Sequence, residues 1–539
     1  MKTSTFFILS LLITYCYIAA AAAAADEQDE FLECLHDEFE NFTAISSHVY
    51  TPTNSSYPSI LRFSIRNLRY ATNSTPKPLL ILTPDQESQI PPIIHCAVQS
   101  DLQIRTRSGG HDAEGLSYVS KVPFMILDLI NLSQISINVE EKTAWIGGGA
   151  TIGSLYYKIA EKSPTLGFPA GFCPTLGVGG HISGGGYGFM MRKHGLAADN
   201  IVDARIVDVH GRILDREAMG EDLFWAIRGG VGASFGVITA WKVQLVDVPE
   251  KITTCTTQRT LEQNATYLVH RWQHVAPRID DDLFIWLTAA RVNSSDGTTT
   301  ILSSFFSFYL GGGADKLAAL MHERFPELGF SRQDCTEMTW IETTVLTAIL
   351  SGYPNATIES LLSRSQPNLM SLKIKSDYVK SPIPIHGLKM MWRLLSGPEG
   401  ERGRLIFTPY GGRMAEIPES SIPFPHRAGN LFKLTSVLYW AEGEADEADR
   451  FMGWSRRFYS SMTPYVSRNP REAYVNYRDL DLGVNNARGM TTYEEASVWG
   501  FKYFKGNFDR LVRVKTAVDP RNFFRNEQSI PAVYSDTDD

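Results

Sequence analysis

Glycine, cysteine, histidine and tyrosine are concentrated in residues 171–188, which read GFCPTLGVGGHISGGGYG. Glycine adopts backbone angles closed to other residues and lets main-chain N–H groups approach a ligand closely. The run therefore predicts loops wrapped around a bulky anion, most simply the diphosphate of a dinucleotide. It is not a Rossmann fingerprint, because Ile182 stands where the third glycine of G-x-G-x-x-G would fall. A flexible linker would be rich in serine and charge, whereas this run carries Phe, Pro, Val, Ile and Tyr.

A second glycine-containing stretch, RSGGHD at residues 107–112, follows the strand-like LQIRTR. It places His111 in a loop after a strand. A lone histidine is usually a satisfied polar group, so its role depends on its context. His181 and His194 have no Cys, His or carboxylate at metal-ligand spacing, and we expect no metal site.

Length and composition describe a globular protein of more than one domain. The chain has 539 residues, of which 43% are hydrophobic and 20% charged. A formal net charge of −8 without a basic block argues against a nucleic-acid partner. Residues 1–25 have the lysine, apolar run and alanine-rich end of a secretory signal peptide, and no later segment approaches the length of a membrane span. We therefore expect a secretory-pathway protein, extracellular or vacuolar.

Five cysteines remain after residue 25, and an odd number in an oxidising compartment leaves at least one thiol for another purpose. Cys255 and Cys335 can pair or stay buried as small apolar side chains, and the sequence does not decide between these. Seven N-x-[ST] sequons predict surface glycans. They lie at Asn41, Asn54, Asn73, Asn131, Asn264, Asn293 and Asn355.

Periodicity divides the chain into parts. After a helical start, short β-rich runs alternate with helical ones from Lys77 to about residue 250. Long alternating runs such as DDLFIWLTAARV, TTILSSFFSFYLG and LFKLTSVLYWAEG then predict a large antiparallel sheet with one face covered by helices. We assign a first domain to 26–250, a substrate domain to 251–474, and a segment returning to the first domain to 475–539. Aromatic residues along the sheet fit a flat apolar substrate, although core packing explains most of them equally well.

The motifs LQIRTRSGGHDAEGLSY, PYGG, IPFPHRAG, NYRDLDLG and NFFRNEQSIP together extend over nearly the whole chain. In them the chain resembles the FAD-linked oxidases of the berberine bridge enzyme-like family, most closely the plant cannabinoid synthase-like oxidocyclases and mulberry-type Diels–Alderases. The resemblance implies an α+β fold: a two-part FAD-binding domain of the PCMH type, with its core at about 76–250, and a substrate domain on a large antiparallel sheet. It also implies a monomer acting on a small aromatic molecule.

The resemblance further implies that FAD is linked twice, from His111 to the 8-methyl carbon of the isoalloxazine and from Cys173 to its C6 carbon. It pairs Cys34 with Cys96 in a disulfide. The other implied cofactor-binding positions are Arg107, Ser108, Gly109, Gly110, Gly177, Gly179, Gly180, His181, Gly184, Gly185, Gly186, Tyr187, Gly188, Asn200, Gly236, Val237, Ile238, Tyr474 and Asn476.

For catalysis the resemblance points to Tyr477 as the base, with the charge of Arg478 expected to favour its phenolate, and to Tyr187 as a residue that orients substrate. The chain departs from cannabinoid synthase-like relatives at Lys433, where they carry a glutamate after the HRAG motif. A lysine ammonium cannot accept a proton, although burial can lower its pKa until it does. Leu176 is the implied oxygen gate, since leucine there accompanies slow oxygen access and valine fast access.

Three functions stay open at this point. The first is an oxidoreductase that takes hydride from a prenylated phenol or similar aromatic substrate, with a carbohydrate or monolignol as other substrate classes. The second is a non-redox Diels–Alderase that keeps FAD as a scaffold and uses cationic side chains to activate the dienophile. The third is a flavin-containing glycoprotein without turnover, acting in binding or defence.

Overall fold

The computed structural model describes residues 26–39, 45–293 and 298–533. The predicted signal peptide and the sequon at Asn41 lie outside them. Residues 26–38 are helical. The further α-helices are Tyr57–Phe63, Ile90–Gln99, Ile152–Lys162, Val178–Ser183, Met191–His194, Arg216–Ile227, Ala265–Val275, Ala314–Arg324, Trp340–Leu350, Ile385–Ser396, Arg413–Glu416, Ala448–Met462, Tyr493–Phe504 and Asn507–Val518. The strands are β1 Val49–Tyr50, β2 Leu80–Leu82, β3 Gln103–Arg107, β4 Phe124–Asp128, β5 Ile135–Asn138, β6 Thr143–Gly147, β7 Leu166–Gly167, β8 Ile201–Val207, β9 Ile213–Leu214, β10 Val237–Gln244, β11 Val246–Asp247, β12 Ile252–Thr260, β13 Leu283–Asn293, β14 Thr299–Tyr309, β15 Cys335–Met338, β16 Ser371–Val379, β17 Gly403–Pro409 and β18 Phe432–Trp440.

Two small sheets build the first half of the chain. The order β1-β2-β4-β3 forms one, in which β4 runs parallel to β2 and to β3. An antiparallel sheet of order β5-β6-β10-β8-β9 forms the other. Strand β4 is buried along its whole length, as expected for a parallel strand covered on both faces. The glycine-containing loops that follow β3 and precede the helix Val178–Ser183 meet between these sheets.

A seven-stranded antiparallel sheet of order β15-β12-β14-β13-β17-β18-β16 dominates the second half. Alternation along β13 sends Leu283, Ile285 and Leu287 into one core with the helices, and Phe284 and Trp286 into the core shared with the first half. Successive strand residues point to opposite faces, so one face packs on helices and the other on the glycine-rich half. The predicted fold class, α+β with a large antiparallel sheet covered by helices, is confirmed.

The last segment packs back on the first half of the chain. Lys515 Nζ donates to the carbonyl oxygen of Ser234 at 2.6 Å, and Glu527 pairs with Arg105 at 2.9 Å. The proposed domain limits themselves stay a prediction. None of the helices in the described ranges is long and apolar enough to cross a membrane.

Two disulfides cross-link the described residues. Cys34 and Cys96 are bonded, as the resemblance implied. Cys255 on β12 and Cys335 on β15 lie directly opposite each other and are also bonded, which decides the alternative that the sequence left open. Cys173 is the one thiol left free in the described part of the chain.

Local structure departs from the sequence prediction in the glycine run. The glycine run was expected to form loops throughout, but Val178–Ser183 within it forms a short helix. Five of the six sequons in the described residues have an exposed asparagine. Asn131 is the exception, because it is half-buried and its Nδ2 donates to the carbonyl oxygen of Thr83 at 2.8 Å.

Candidate active site

Lys433 lies on β18, opposite Tyr378 on one neighbouring strand and Thr408 on the other. Phe432 and Leu434 on either side of it face the helix-covered core. The alternation of the strand therefore turns the lysine side chain towards the glycine-rich half of the molecule. This residue connects the two halves at the centre of the site.

Three tyrosine rings surround the Lys433 ammonium. Its Nζ lies 3.4 Å from the ring centroid of Tyr187, 4.3 Å from that of Tyr474 and 4.4 Å from that of Tyr477. The face of an aromatic ring attracts a cation at such distances, most strongly where water is excluded. The rings come from the end of the glycine stretch and from the C-terminal segment, and only folding brings them together.

The charge on Lys433 has no carboxylate partner among the described residues. The side chain is 1% exposed, and burial lowers its pKa well below the usual value of a lysine. Burial thus shifts Lys433 towards its neutral form, in which the amine carries a lone pair.

The phenols of Tyr187 and Tyr477 form a hydrogen bond with each other. Burial raises the pKa of Tyr187 to about 12, and burial together with the neighbouring Tyr187 raises that of Tyr477 well above 10. Both phenols are therefore protonated at neutral pH. Arg478 pairs with Asp112 at 3.3 Å and is not among the groups that shift the pKa of Tyr477. The expectation that Arg478 favours a Tyr477 phenolate is wrong, because the arginine side chain faces another partner.

His111 and Cys173, the two predicted tether residues, converge on one hydroxyl. Thr175 Oγ1 lies 2.9 Å from His111 Nε2 and 3.6 Å from Cys173 Sγ. Burial lowers the pKa of His111 to about 3, so its imidazole is neutral. Tyr353, from the second half, reaches the same Thr175 hydroxyl at 2.8 Å. Sequence reasoning missed Thr175 and Tyr353; the position of Thr175 two residues after Cys173 was the only available signal.

The glycine loops meet the requirements of a dinucleotide cradle. Gly109 and Gly177 lie so close that a Cβ on either would come within 2.3 Å of the other's backbone. The buried N–H groups of Gly109, Gly110 and Gly177 donate no hydrogen bond within the described residues. Buried N–H groups without a partner are rare in folded proteins. The residues present therefore fit a ligand that supplies acceptors, as the diphosphate of FAD does.

Other predicted cofactor residues are held in place by their neighbours. Gly184 is needed because a Cβ there would lie 2.0 Å from Oδ1 of Asn476. Asn476 Nδ2 donates to the His181 carbonyl oxygen at 2.9 Å and to the Tyr474 hydroxyl at 3.0 Å. Gly186 N–H donates to the same hydroxyl at 3.0 Å. These contacts join the glycine stretch to the segment that carries the tyrosines.

Some predicted cofactor residues have side chains that are already occupied. The guanidinium of Arg107 is fully buried, pairs with Asp128 and donates to two backbone carbonyls. Asn200 Nδ2 donates to two backbone carbonyl oxygens of its own turn. Val237 and Ile238 are buried in the apolar cores at the start of β10. These interactions occupy the side chains of Arg107, Val237 and Ile238 and the amide nitrogen of Asn200.

The surroundings of Tyr187 are aromatic, and Phe172 and Trp286 together form the aromatic wall. Phe172 lies 5.7 Å from the Tyr187 ring and 5.4 Å from that of Trp286. Phe172 and Trp286 are half-buried, whereas Phe284, Phe306 and Phe308 are buried core residues. Most of the sheet aromatics predicted to face substrate are thus core, while Trp286 of β13 and Phe172 of the glycine stretch are partly exposed.

Trp286 Nε1 on this wall and Thr435 Oγ1 on β18 are among the buried polar groups without a hydrogen-bond partner within the described residues. Thr435 follows Lys433 by two residues on the same face of β18. Buried polar groups are normally hydrogen-bonded, so both are free to bind a substrate oxygen. The alternation of the sequence predicts that Thr435 lies on the same face as Lys433. Only the structure shows that its hydroxyl has no hydrogen-bond partner within the described residues.

Comparison with known proteins adds to this geometry. A family model described as FAD binding domain matches residues 78–216, and one described as Berberine and berberine like matches residues 473–531. Tetrahydroberberine oxidase from Berberis wilsoniae is 50% identical over 538 residues, covering 99% of each chain. Cannabidiolic acid synthase-like 1 from Cannabis sativa is 46% identical and also covers 99% of each chain. The solved structure of BBE-like #28 from Arabidopsis thaliana superposes with a TM-score of 0.87 at 47% identity, covering 94% of this chain and 100% of that one.

Proposed function

The chain belongs to the berberine bridge enzyme-like family of FAD-linked oxidoreductases, and on that premise we propose that it oxidises a prenylated phenol or similar aromatic molecule. The relatives act on differently named molecules, so the substrate class rests on the site of this chain. Lys433, Tyr477 and Tyr187 are the proposed catalytic residues.

The observation that carries the proposal is the position of Lys433 among three tyrosine rings without a carboxylate. An oxidation that removes hydride from a phenolic substrate also releases a proton, which needs an acceptor within hydrogen-bond reach. The Lys433 Nζ lies over the ring faces of Tyr187 and Tyr477, whose hydroxyls are hydrogen-bonded to each other. In the proposed relay, a substrate proton passes to one phenol as that phenol gives its own proton to the neutral lysine, whose side chain must turn from the ring faces to the phenol oxygen. The glutamate of cannabinoid synthase-like relatives is then replaced by an uncharged amine in the same role.

FAD supplies the hydride acceptor when it is bound. We infer that His111 and Cys173 tether it, because both side chains converge beside the glycine cradle and the imidazole of His111 is neutral. The free thiol of Cys173 is consistent with this assignment, since the other four cysteines of the described residues form disulfides. Leu176, between Cys173 and Gly177, is the proposed restriction on oxygen access.

The aromatic wall supports a flat apolar substrate rather than a sugar. Phe172 and Trp286 present ring surface, while Trp286 Nε1 and Thr435 Oγ1 offer a small number of polar contacts. Such a combination of apolar surface and a few placed polar groups is typical of small-molecule sites. A carbohydrate would present many hydroxyls to this wall and leave most of them unpaired.

A Diels–Alderase that polarises a carbonyl with a cation is less well supported. That mechanism needs Lys433 as an ammonium, and burial favours its neutral form. The same residue thus separates the redox and the non-redox function on physical grounds.

We also infer that the protein passes through the secretory pathway to the apoplast or the vacuole. Two disulfides in the described residues fit an oxidising compartment. Exposed asparagines at five sequons are available for glycans. Digestion with a deglycosylating enzyme should lower the mass of the protein expressed in a plant host.

Anaerobic mixing with a panel of prenylated phenols, monolignols and sugars tests the function. A phenolic substrate should bleach the flavin absorbance, and Tyr477→Phe should slow the bleaching by about 10²-fold or more because the proton relay is interrupted. Tyr267→Phe is the matched control, since Tyr267 is exposed on the helix Ala265–Val275. Product formed without bleaching would refute the proposed oxidation and favour the non-redox cyclisation. Bleaching by sugars alone would refute the proposed aromatic substrate class.

A further inference from the structure

Two arginines from outside the glycine loops, Arg66 and Arg364, hold the RSGGHD loop from behind. Arg66 Nε donates to the carbonyl oxygen of Gly109 at 3.2 Å, and Arg364 Nη2 donates to that of Ser108 at 3.2 Å. Arg66 Nη2 also donates to the carbonyl oxygen of Arg364 at 2.6 Å. The two guanidiniums therefore bind successive carbonyls of one loop and are tied to each other.

Arg364 also reaches a second glycine turn. Its Nη1 donates to the carbonyl oxygen of Gly149 at 2.7 Å, and Ser108 Oγ donates to the neighbouring carbonyl of Gly148 at 2.7 Å. One planar guanidinium thus spans two loops, which a lysine cannot do. Arg364 lies between β15 and β16 of the second half, so it links that half to the proposed cofactor loops.

The carbonyls that these arginines bind fix the direction of the free N–H groups. In a trans peptide the C=O of one residue and the N–H of the next point in opposite directions. The Ser108 carbonyl faces Arg364, so the N–H of Gly109 points away from it. The Gly109 carbonyl faces Arg66, so the N–H of Gly110 points away likewise. These are two of the buried N–H groups that have no partner among the described residues.

The charge of the two arginines is not neutralised. Neither forms an ion pair with a carboxylate of the described residues, although Arg66 is only 5% exposed. Arg107 in the same loop shows the contrast, because it is buried and paired with Asp128. A buried charge normally has a partner, since taking it out of water is costly. Two uncompensated cations behind a row of free N–H groups form a site for a polyvalent anion.

We propose that Arg66 and Arg364 are positioning residues for the diphosphate of FAD. They hold the loop carbonyls so that the N–H groups of Gly109 and Gly110 face the diphosphate, and they supply the positive charge that balances it. This inference rests on the proposed function for the identity of the ligand. Neither residue belongs to the glycine and tether motifs.

Ligand titration of the full-length chain tests it. In a His111→Ala/Cys173→Ala background, where no tether remains, quenching of intrinsic fluorescence is measured with FAD, ADP and riboflavin. Arg364→Gln and Arg66→Gln should each lower the affinity for FAD and for ADP by about 10- to 100-fold, which is the range expected for the loss of a charge-assisted hydrogen bond. Riboflavin, which has no phosphate, should bind unchanged. Arg62→Gln is the matched control, because Arg62 is exposed and also donates to a backbone carbonyl, that of Ala71.

Each other outcome overturns the inference in a distinguishable way. Unchanged FAD affinity in both arginine variants would show that the guanidiniums do not serve the diphosphate. Equal loss of FAD and riboflavin would mean that they only maintain the fold. The same variants with both tethers intact provide a second readout, since the ratio of flavin to protein after purification should fall in the arginine variants and not in Arg62→Gln. A parent protein that contains no FAD would refute the proposed function itself.

Discussion

Lys433→Met removes the proposed proton acceptor while keeping an unbranched side chain of similar length on β18. The expected result is flavin that stays bound but is reduced slowly by substrate. General-base catalysis typically contributes about 10²- to 10⁴-fold. We expect a loss in this range. Folding lowers the pKa of Lys433, whereas it raises the pKa of each of the three surrounding tyrosines, Tyr187, Tyr474 and Tyr477.

The pH dependence has a definite sign. Lys433 accepts a proton only in its neutral form, so flavin reduction in the parent should rise with pH and level off above the pKa of Lys433, which lies well below 10.5. The Met variant should lack this rise.

Stability should change in the opposite direction from activity. Because the pKa of Lys433 is lowered on folding, the unfolded chain binds more protons, and the free energy of unfolding of the parent rises with pH towards 10.5. Each unit by which the pKa is lowered corresponds to about 1.4 kcal/mol. Lys433→Met should therefore be more stable than the parent at neutral pH, and the difference should shrink as the pH approaches 10.5.

Stopped-flow absorbance under anaerobic conditions measures the reduction rate, and thermal unfolding at several pH values measures the stability. Lys242→Met serves as control, since Lys242 is a half-exposed lysine of another strand. If the flavin of Lys433→Met is reduced as fast as that of the parent, and with the same pH profile, the role of Lys433 as proton acceptor is refuted. A less stable Met variant at neutral pH would refute the argument that the lysine is buried at a cost.

Three further outcomes are expected. The flavin should stay with the protein after acid precipitation and be extracted only when His111 and Cys173 are both replaced; flavin released from the parent would exclude the tethers. Leu176→Val should speed reoxidation of the reduced enzyme by air, and equal rates would remove the oxygen gate. Lys373→Met should destabilise the protein, unlike Lys433→Met, because Glu114 and Asp479 would each lose one buried partner; the loss should stay below the about 3–5 kcal/mol of an uncompensated buried charge, since Arg69 and Lys375 remain. Chemical denaturation measures the difference, and a gain in stability would contradict the argument.

Local sequence determined the elements and the family. The alternating runs at β13, β14 and β18 predicted strands because side chains of a strand alternate between two faces. Strands β12 and β15 were missed, since their sequences, ITTCTTQRT and CTEM, are largely polar and show no apolar–polar alternation. The glycine-rich motifs predicted the close approach of Gly109 and Gly177, because glycine is required where two backbones approach within contact distance.

Only the tertiary structure decided the charge state of the site. Lys433 is an ordinary lysine in the sequence, and its pKa is lowered because folding removes it from water and provides three rings but no carboxylate. Tyr187 and Tyr477 lie 290 residues apart in the chain, so no local pattern predicts the hydrogen bond between their hydroxyls. Arg478, the nearest cation to Tyr477 in sequence, pairs elsewhere. Sequence proximity fixes which residues are available, whereas burial and register decide which of them share a proton.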